Sequence, residues 1–186
     1  MHPEDLKSLG LTDGGLARVS TRIGYFVVRV LETEGIHPGV VACSHHVGRW
    51  RLFRSIGGQK RCSSLIDIRR EGSTFLFRRK EPVGAYAGSD PDSERVWWKE
   101  AGVNQNLTFP VHPDPASGMH CWHQKVTVEP AKDTDQYGDV FVDTARSREV
   151  YEEWKAKTKP APGPGGLRRP LWMNRPLRPV DSAYEL

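Results

Sequence analysis

Two short runs gather the residues best suited to metal binding or nucleophilic chemistry: Cys43-Ser44-His45-His46 and His120-Cys121-Trp122-His123. Thiolate and imidazole are ordinary zinc ligands, and a fold that joined the runs would supply four of them. Their spacing matches neither a zinc finger nor a ribbon. The plainer reading packs Cys43 and Cys121 as small apolar residues, with the histidines as hydrogen-bond donors. A cysteine beside a histidine is also the raw material of a Cys–His nucleophile, but no triad spacing accompanies it. Three cysteines without a CxxC pair make a disulfide framework an unexpected outcome.

A second kind of chemistry is anion recognition. Residues 49–80 carry ten Lys or Arg against two acids, in a chain whose formal net charge is +4. Trp50, Phe53, Phe75 and Phe77 are interleaved with them. Phosphate contact plus stacking suits single-stranded nucleic acid. The same excess suits a phosphate-bearing cofactor, an acidic protein face or a solvated loop. No nucleic-acid motif is present, so nucleic acid is not the expected partner. Residues 44–48 and 102–108 are rich in small, amide and imidazole groups. Such loops pair with pterin and guanine edges, and their backbone N–H groups cradle phosphates.

These loops need elements to hold them. With 186 residues, 37% of them hydrophobic, the chain can build one modest core with extensions. Residues 1–15 read as a short helix or turn closed by Asp13-Gly14-Gly15. Residues 16–20 and 25–31 read as a hairpin of β-branched and aromatic strands. His37-Pro38-Gly39 is a turn, and residues 40–43 read as a buried strand after it. Residues 64–69 and 73–78 form a candidate basic hairpin, residues 96–98 a short helix or strand, and residues 125–129 a further strand. A helix is expected from Thr144 as N-cap, with Val150 and Trp154 on one face and Pro160 ending it. The Pro- and Arg-rich tail beyond reads as extended. Strands outnumber helices, so the class is mainly β, a small barrel.

The order of these pieces resembles the C-terminal molybdopterin dinucleotide-binding domain of the dimethyl sulfoxide reductase family. His2-Pro3-Glu4-Asp5 with Leu9-Gly10-Leu11 and Asp13-Gly14 is similar to the family's entry segment. Val19-Ser20-Thr21-Arg22-Ile23-Gly24 resembles its first hairpin, and Ile36-His37-Pro38-Gly39-Val40-Val41 its next strand. His45-His46-Val47-Gly48 stands where its cofactor loop lies. Asn104-Gln105-Asn106-Leu107-Thr108 followed by Asp114-Pro115-Ala116-Ser117-Gly118 is similar to its second loop, and Lys125-Val126-Thr127-Val128 to its closing strand. The resemblance runs over residues 2–129.

It implies a double-psi β-barrel over residues 1–130, with a basic insertion at 51–98, followed by a C-terminal helix and extension over 131–186. The first strand or two of the usual barrel have no counterpart, so the barrel is expected to be incomplete at its N-terminus and to dock on a partner. The implied cofactor is molybdopterin guanine dinucleotide, a bis-MGD carrying Mo or W and shared with the rest of a catalytic subunit. His45, His46, Gly48, Arg49, Asn104, Asn106, Ser117 and Lys125 are the implied cofactor-binding residues. No residue here ligates the metal, and no catalytic residue is expected. The chain is then part of an oxidoreductase and inactive alone, its partners the remaining catalytic domains and an iron–sulfur subunit. Residues 1–10 hold no apolar signal core and no run is long enough to span a membrane, so the expectation is a soluble chain, cytoplasmic unless an exported complex carries it to the periplasm. Stand-alone anion binding and a zinc-stabilised β domain are the competing readings.

Overall fold

The structure is a computed structural model that describes residues 1–44, 48–51, 63–80, 102–112, 123–160 and 168–170. The chain falls into two compact units, residues 1–110 with 125–147, and residues 111–124 with 148–186.

The first unit opens with helix α1, Pro3–Leu9. The entry motif explains why it starts and stops there. His2 caps it, Nδ1 accepting the Glu4 amide at 3.3 Å, and Pro3 sits where a missing N–H costs nothing. Gly10, at φ 67°, closes it, and the Leu11 amide reaches back to the Leu6 carbonyl at 2.9 Å. Asp5 then accepts the Gly39 amide at 2.8 Å, tying α1 to the His37-Pro38-Gly39-Val40 turn. Pro38 and Gly39 (φ 78°) suit the central positions of that turn, and Val40 N–H donates to the His37 carbonyl at 3.1 Å.

Strands β1 (Leu16–Ser20) and β2 (Gly24–Arg29) form the expected hairpin, with Val19 opposite Phe26. Further strands are β3 (Arg49–Arg51), β4 (Ser63–Glu71), β5 (Thr74–Arg79), β6 (Thr127–Pro130) and β7 (Val140–Asp143). They make one seven-stranded sheet in the order β3-β4-β5-β7-β2-β1-β6, antiparallel except for the β3–β4 pair. The basic hairpin β4–β5 is woven into this sheet, since β5 pairs with β7. Residues 40–43, read from sequence as a buried strand, pair with no strand of the sheet, and Val40 is 48% exposed. The run instead leaves the Pro38-Gly39 turn without regular secondary structure, and Ala42 and Cys43 are exposed.

Strand β2 is the centre of packing. Phe26 and Val27 are neighbours in sequence, point to opposite faces and are both buried, so both faces of β2 are covered. One face holds Val19, Phe26, Val103 and Val140, with Phe77, Phe109 and Val128 packed at its rim. A second cluster joins Leu6 and Leu11 to Ala17 and Val30. Elsewhere Arg18 lies 3.9 Å from the centre of the Tyr25 ring, which stacks on Phe141 at 5.1 Å. Residues 131–139 are pinned by two arginine–aspartate pairs. Arg18 grips Asp135 at 3.0 and 2.5 Å, and Arg78 grips Asp139 with Nε at 2.9 Å and its second nitrogen on the other oxygen.

Helix α2 is Thr144–Ala156. Its N-cap is Asp143 rather than Thr144: the Asp143 carboxylate accepts the Ala145 amide at 2.9 Å and the Arg146 amide at 3.3 Å. Thr144 instead donates its hydroxyl to the Ser73 carbonyl at 2.8 Å. Val150 is buried and Trp154 half-buried, as their spacing implied. The helix stops before Pro160, which closes β8 (Thr158–Pro160) against β9 (Arg168–Pro170). Within the second unit the Trp154 ring meets His112 at 5.2 Å and carries the Lys157 ammonium at 4.3 Å. Among the described residues no helix is long and apolar enough to cross a membrane.

Candidate functional site

The segment 102–109 is built to hold a short polar run against a rigid frame. Val103 is buried in the core beside Val19, Phe26 and Val140. Phe109 packs edge-on to Phe26 at 6.3 Å. Between these anchors lies a 3-10 turn, Asn106–Thr108. Thr108 is fully buried, and its N–H and hydroxyl both donate to the Gln105 carbonyl, at 2.9 and 2.8 Å. The Thr108 carbonyl in turn accepts the Thr21 hydroxyl, which comes from the β1–β2 turn. The run Asn104-Gln105-Asn106 is thereby fixed at both ends and stapled to the hairpin.

Against it lies Gly48. Its φ is 80°, in the region that L side chains rarely adopt, and a Cβ there would fall 2.1 Å from both the Asn104 nitrogen and the Val103 carbonyl carbon. Two loops singled out separately in the sequence thus touch backbone to backbone. A second link lies alongside. Gln105 donates Nε2 to the Cys43 carbonyl at 3.1 Å, and the Arg79 guanidinium donates to the Gly102 carbonyl at 3.2 Å. Arg79 also lies over the Tyr137 ring at 4.8 Å.

Gly48 and Asn104 are therefore brought together, the first buried and the second half-buried. Asn106 follows two residues later, exposed, at the start of the 3-10 turn. Arg49 opens β3, and Lys125 is exposed just ahead of β6, so these two flank opposite edge strands of the sheet. His45, His46 and Ser117 lie outside the described residues, as do His120 and Cys121. Among the described residues no group of three His, Cys, Asp or Glu is placed to hold a metal ion. Cys43 is exposed as a residue, yet burial around its sulfur pushes the thiol up to about 11, the Gln105 carboxamide drawing it down only in part. That is the opposite of an activated nucleophile.

Sequence reasoning passed over Gln105. It is 2% exposed, and its Oε1 is buried without a hydrogen-bond partner. Its only signal is its place between two asparagines, which does not reveal which amide turns inward.

The donor set here fits a flat, polyfunctional heterocycle. Carboxamides offer a donor and an acceptor on one planar group, matching pterin and guanine edges. The close approach at Gly48 sets peptide groups of two loops side by side. Comparison with known proteins points the same way. Residues 1–74 match the family model described as the molydopterin dinucleotide binding domain, a stretch running from α1 to the first residue of β5. No curated protein and no solved structure matches the chain. The motifs that cap α1, tie it to the Pro38-Gly39 turn and shape the first hairpin all fall within the matched stretch, so over residues 1–74 the chain is similar to the molydopterin dinucleotide binding domain.

Proposed function

We propose that the chain is the C-terminal portion of a molybdenum or tungsten oxidoreductase of the dimethyl sulfoxide reductase family. It holds a molybdopterin guanine dinucleotide shared with the rest of the catalytic subunit. The observation that carries this reading is the backbone contact of Gly48 with Val103 and Asn104, which sets Gly48 against the amide-bearing 102–108 loop. The family match over residues 1–74 supports it. The Asn104 and Asn106 carboxamides and the peptide groups beside Gly48 would hold the heterocyclic edges, with His45, His46, Arg49, Ser117 and Lys125 as further ligands. When bound, the cofactor supplies the redox chemistry at its metal. The chain's own residues bind, orient and shield it from water. The fold of this reading is a double-psi barrel completed by neighbouring domains, and an iron–sulfur subunit is a further partner.

The test is purification of the chain from its native host, with metal and pterin analysis of the complex. Molybdenum or tungsten, guanine dinucleotide and iron in one larger complex support the proposal; a metal-free lone chain overturns it. Asn104→Ala is expected to lower pterin retained per complex, and unchanged content removes Asn104 from the site.

A further inference from the structure

The segment 102–108 begins at a residue that cannot orient itself. Gly102 sits at φ 69°, and a glycine leaves the peptide that follows it unusual freedom to rotate. Burial of the Val103 side chain fixes where the segment lies, but not which way the Gly102 carbonyl points. That direction is set by Arg79, the last residue of β5, whose guanidinium donates to the carbonyl at 3.2 Å. The guanidinium is itself held in place. It lies over the Tyr137 ring at 4.8 Å, and Tyr137 packs on the rim of the same core cluster as Val103. It also lies against Gly138, where a Cβ would come within 3.1 Å of one of its terminal nitrogens. Strand β5 is paired on both sides, with β4 and with β7, so Arg79 is rooted in the interior of the sheet. At the far end of the segment, Thr108 and Thr21 hold the backbone. Arg79 is the matching hold at the near end.

We propose that Arg79 is a positioning residue of the cofactor site. Through the Gly102 carbonyl it sets the direction of the peptides that follow, and with them the Asn104 and Asn106 carboxamides. This rests on the functional reading above. Arginine suits the task better than lysine, because a flat guanidinium stacks on a ring and donates in its own plane at the same time. Neither Arg79 nor Tyr137 has to touch the cofactor for this.

The test uses the full chain with Arg79→Met, which keeps an unbranched stem on Tyr137 and removes the donor, and Tyr137→Leu, which removes the ring beneath the guanidinium. Arg18→Met is the control, a destabilised chain whose lost bond is to Asp135 and not to the segment. Three quantities are read: melting temperature, amide exchange of the peptide covering residues 102–109, and the Kd for GDP, the probe for the guanine half of the cofactor. R79M and Y137L should both speed exchange across 102–109 and weaken the Kd about tenfold, the effect of a segment correctly placed about a tenth of the time. R18M should lower the melting temperature and leave the Kd and the exchange at 102–109 as in wild type. Unchanged exchange in R79M overturns the proposal. Faster exchange with an unchanged Kd makes Arg79 structural only and overturns it equally, as does a Kd weakened to the same degree in R18M. If R79M does not fold, Y137L decides by the same two readouts. If wild type binds no GDP, the guanine assignment fails, and the exchange measurement alone decides whether Arg79 sets the segment.

Discussion

Replacing Gly48 with alanine tests the contact on which the site depends. Two costs can be worked out separately. At φ 80° an L residue pays a conformational cost of about 1–2 kcal/mol. The added Cβ would lie 2.1 Å from the Asn104 nitrogen and the Val103 carbonyl carbon, both backbone, so the loops must part by roughly 1 Å to reach even a tight contact. Overpacking of this kind costs about 1–3 kcal/mol. The total is about 2–5 kcal/mol, which for a chain of this size lowers Tm by roughly 4–20 °C. Gly39→Ala and Gly72→Ala are the matched controls. Both glycines have positive φ, 78° and 58°, and a Cβ at either meets nothing within 4 Å. They should show the conformational cost alone. Denaturant midpoints for the three variants, with constant m-value, isolate the steric part by difference. If Gly48→Ala costs no more than Gly39→Ala, the two loops do not press together as described and the reasoning fails.

Other perturbations follow from the arginine–aspartate pairs and the α2 cap. Arg18→Met leaves the Asp135 carboxylate, 3% exposed, without its guanidinium and should cost about 3–5 kcal/mol by urea unfolding; a loss well below that range would mean water replaces the partner. Burial would push the Asp135 carboxyl up, but the Arg18 hydrogen bonds and the Lys132 amide outweigh it and hold it below the usual range. A depressed folded value means that its stabilisation is present above the unfolded value and lost as pH falls through the folded one. Asp135→Asn should therefore flatten the acid limb of stability below about pH 4, read as urea midpoints against pH. Asp143→Ala should speed amide exchange at Ala145 and Arg146 while leaving the β4–β5 amides protected; equal rates would place the cap elsewhere.

Much of the frame was legible because it is local. The β1–β2 hairpin, the β4–β5 hairpin and α2 each carry their pattern within a few residues, and Asp13-Gly14 and Pro38-Gly39 announce turns by chemistry that only those residue types supply. What escaped depends on distant chain. Val140-Phe141-Val142 is too short to declare itself a strand. It becomes one because β2 and β5 offer it partners on both sides. Residues 40–43 have strand composition and no strand to pair with, so composition misled. Asp143 rather than Thr144 caps α2, a shift of one position that side-chain type alone does not settle. At the site, the two loops were readable as polar segments, residues 44–48 by their small and imidazole groups and residues 102–108 by their amides. Their contact was not, because it rests on a glycine whose importance lies in what its missing side chain would strike.

The placement of β7 between β2 and β5 has a consequence for how the chain reaches this state. The segment that carries the family match, residues 1–74, contains β1, β2 and β4, yet β1 awaits β6 and β2 awaits β7. At a synthesis rate of about 5–20 residues per second, several seconds separate completion of the matched segment from emergence of β7. During that interval Phe26 and Val27 sit on a strand with one side unpaired, and the sheet cannot close. Such non-local pairing makes folding slow and leaves the nascent hairpin a target for wrong strand partners. The matched segment thus lacks the partners its hairpin pairs with, and a fragment ending near residue 74 should depend on chaperones or aggregate, whereas one that includes residues 127–143 carries the strands its hairpin needs.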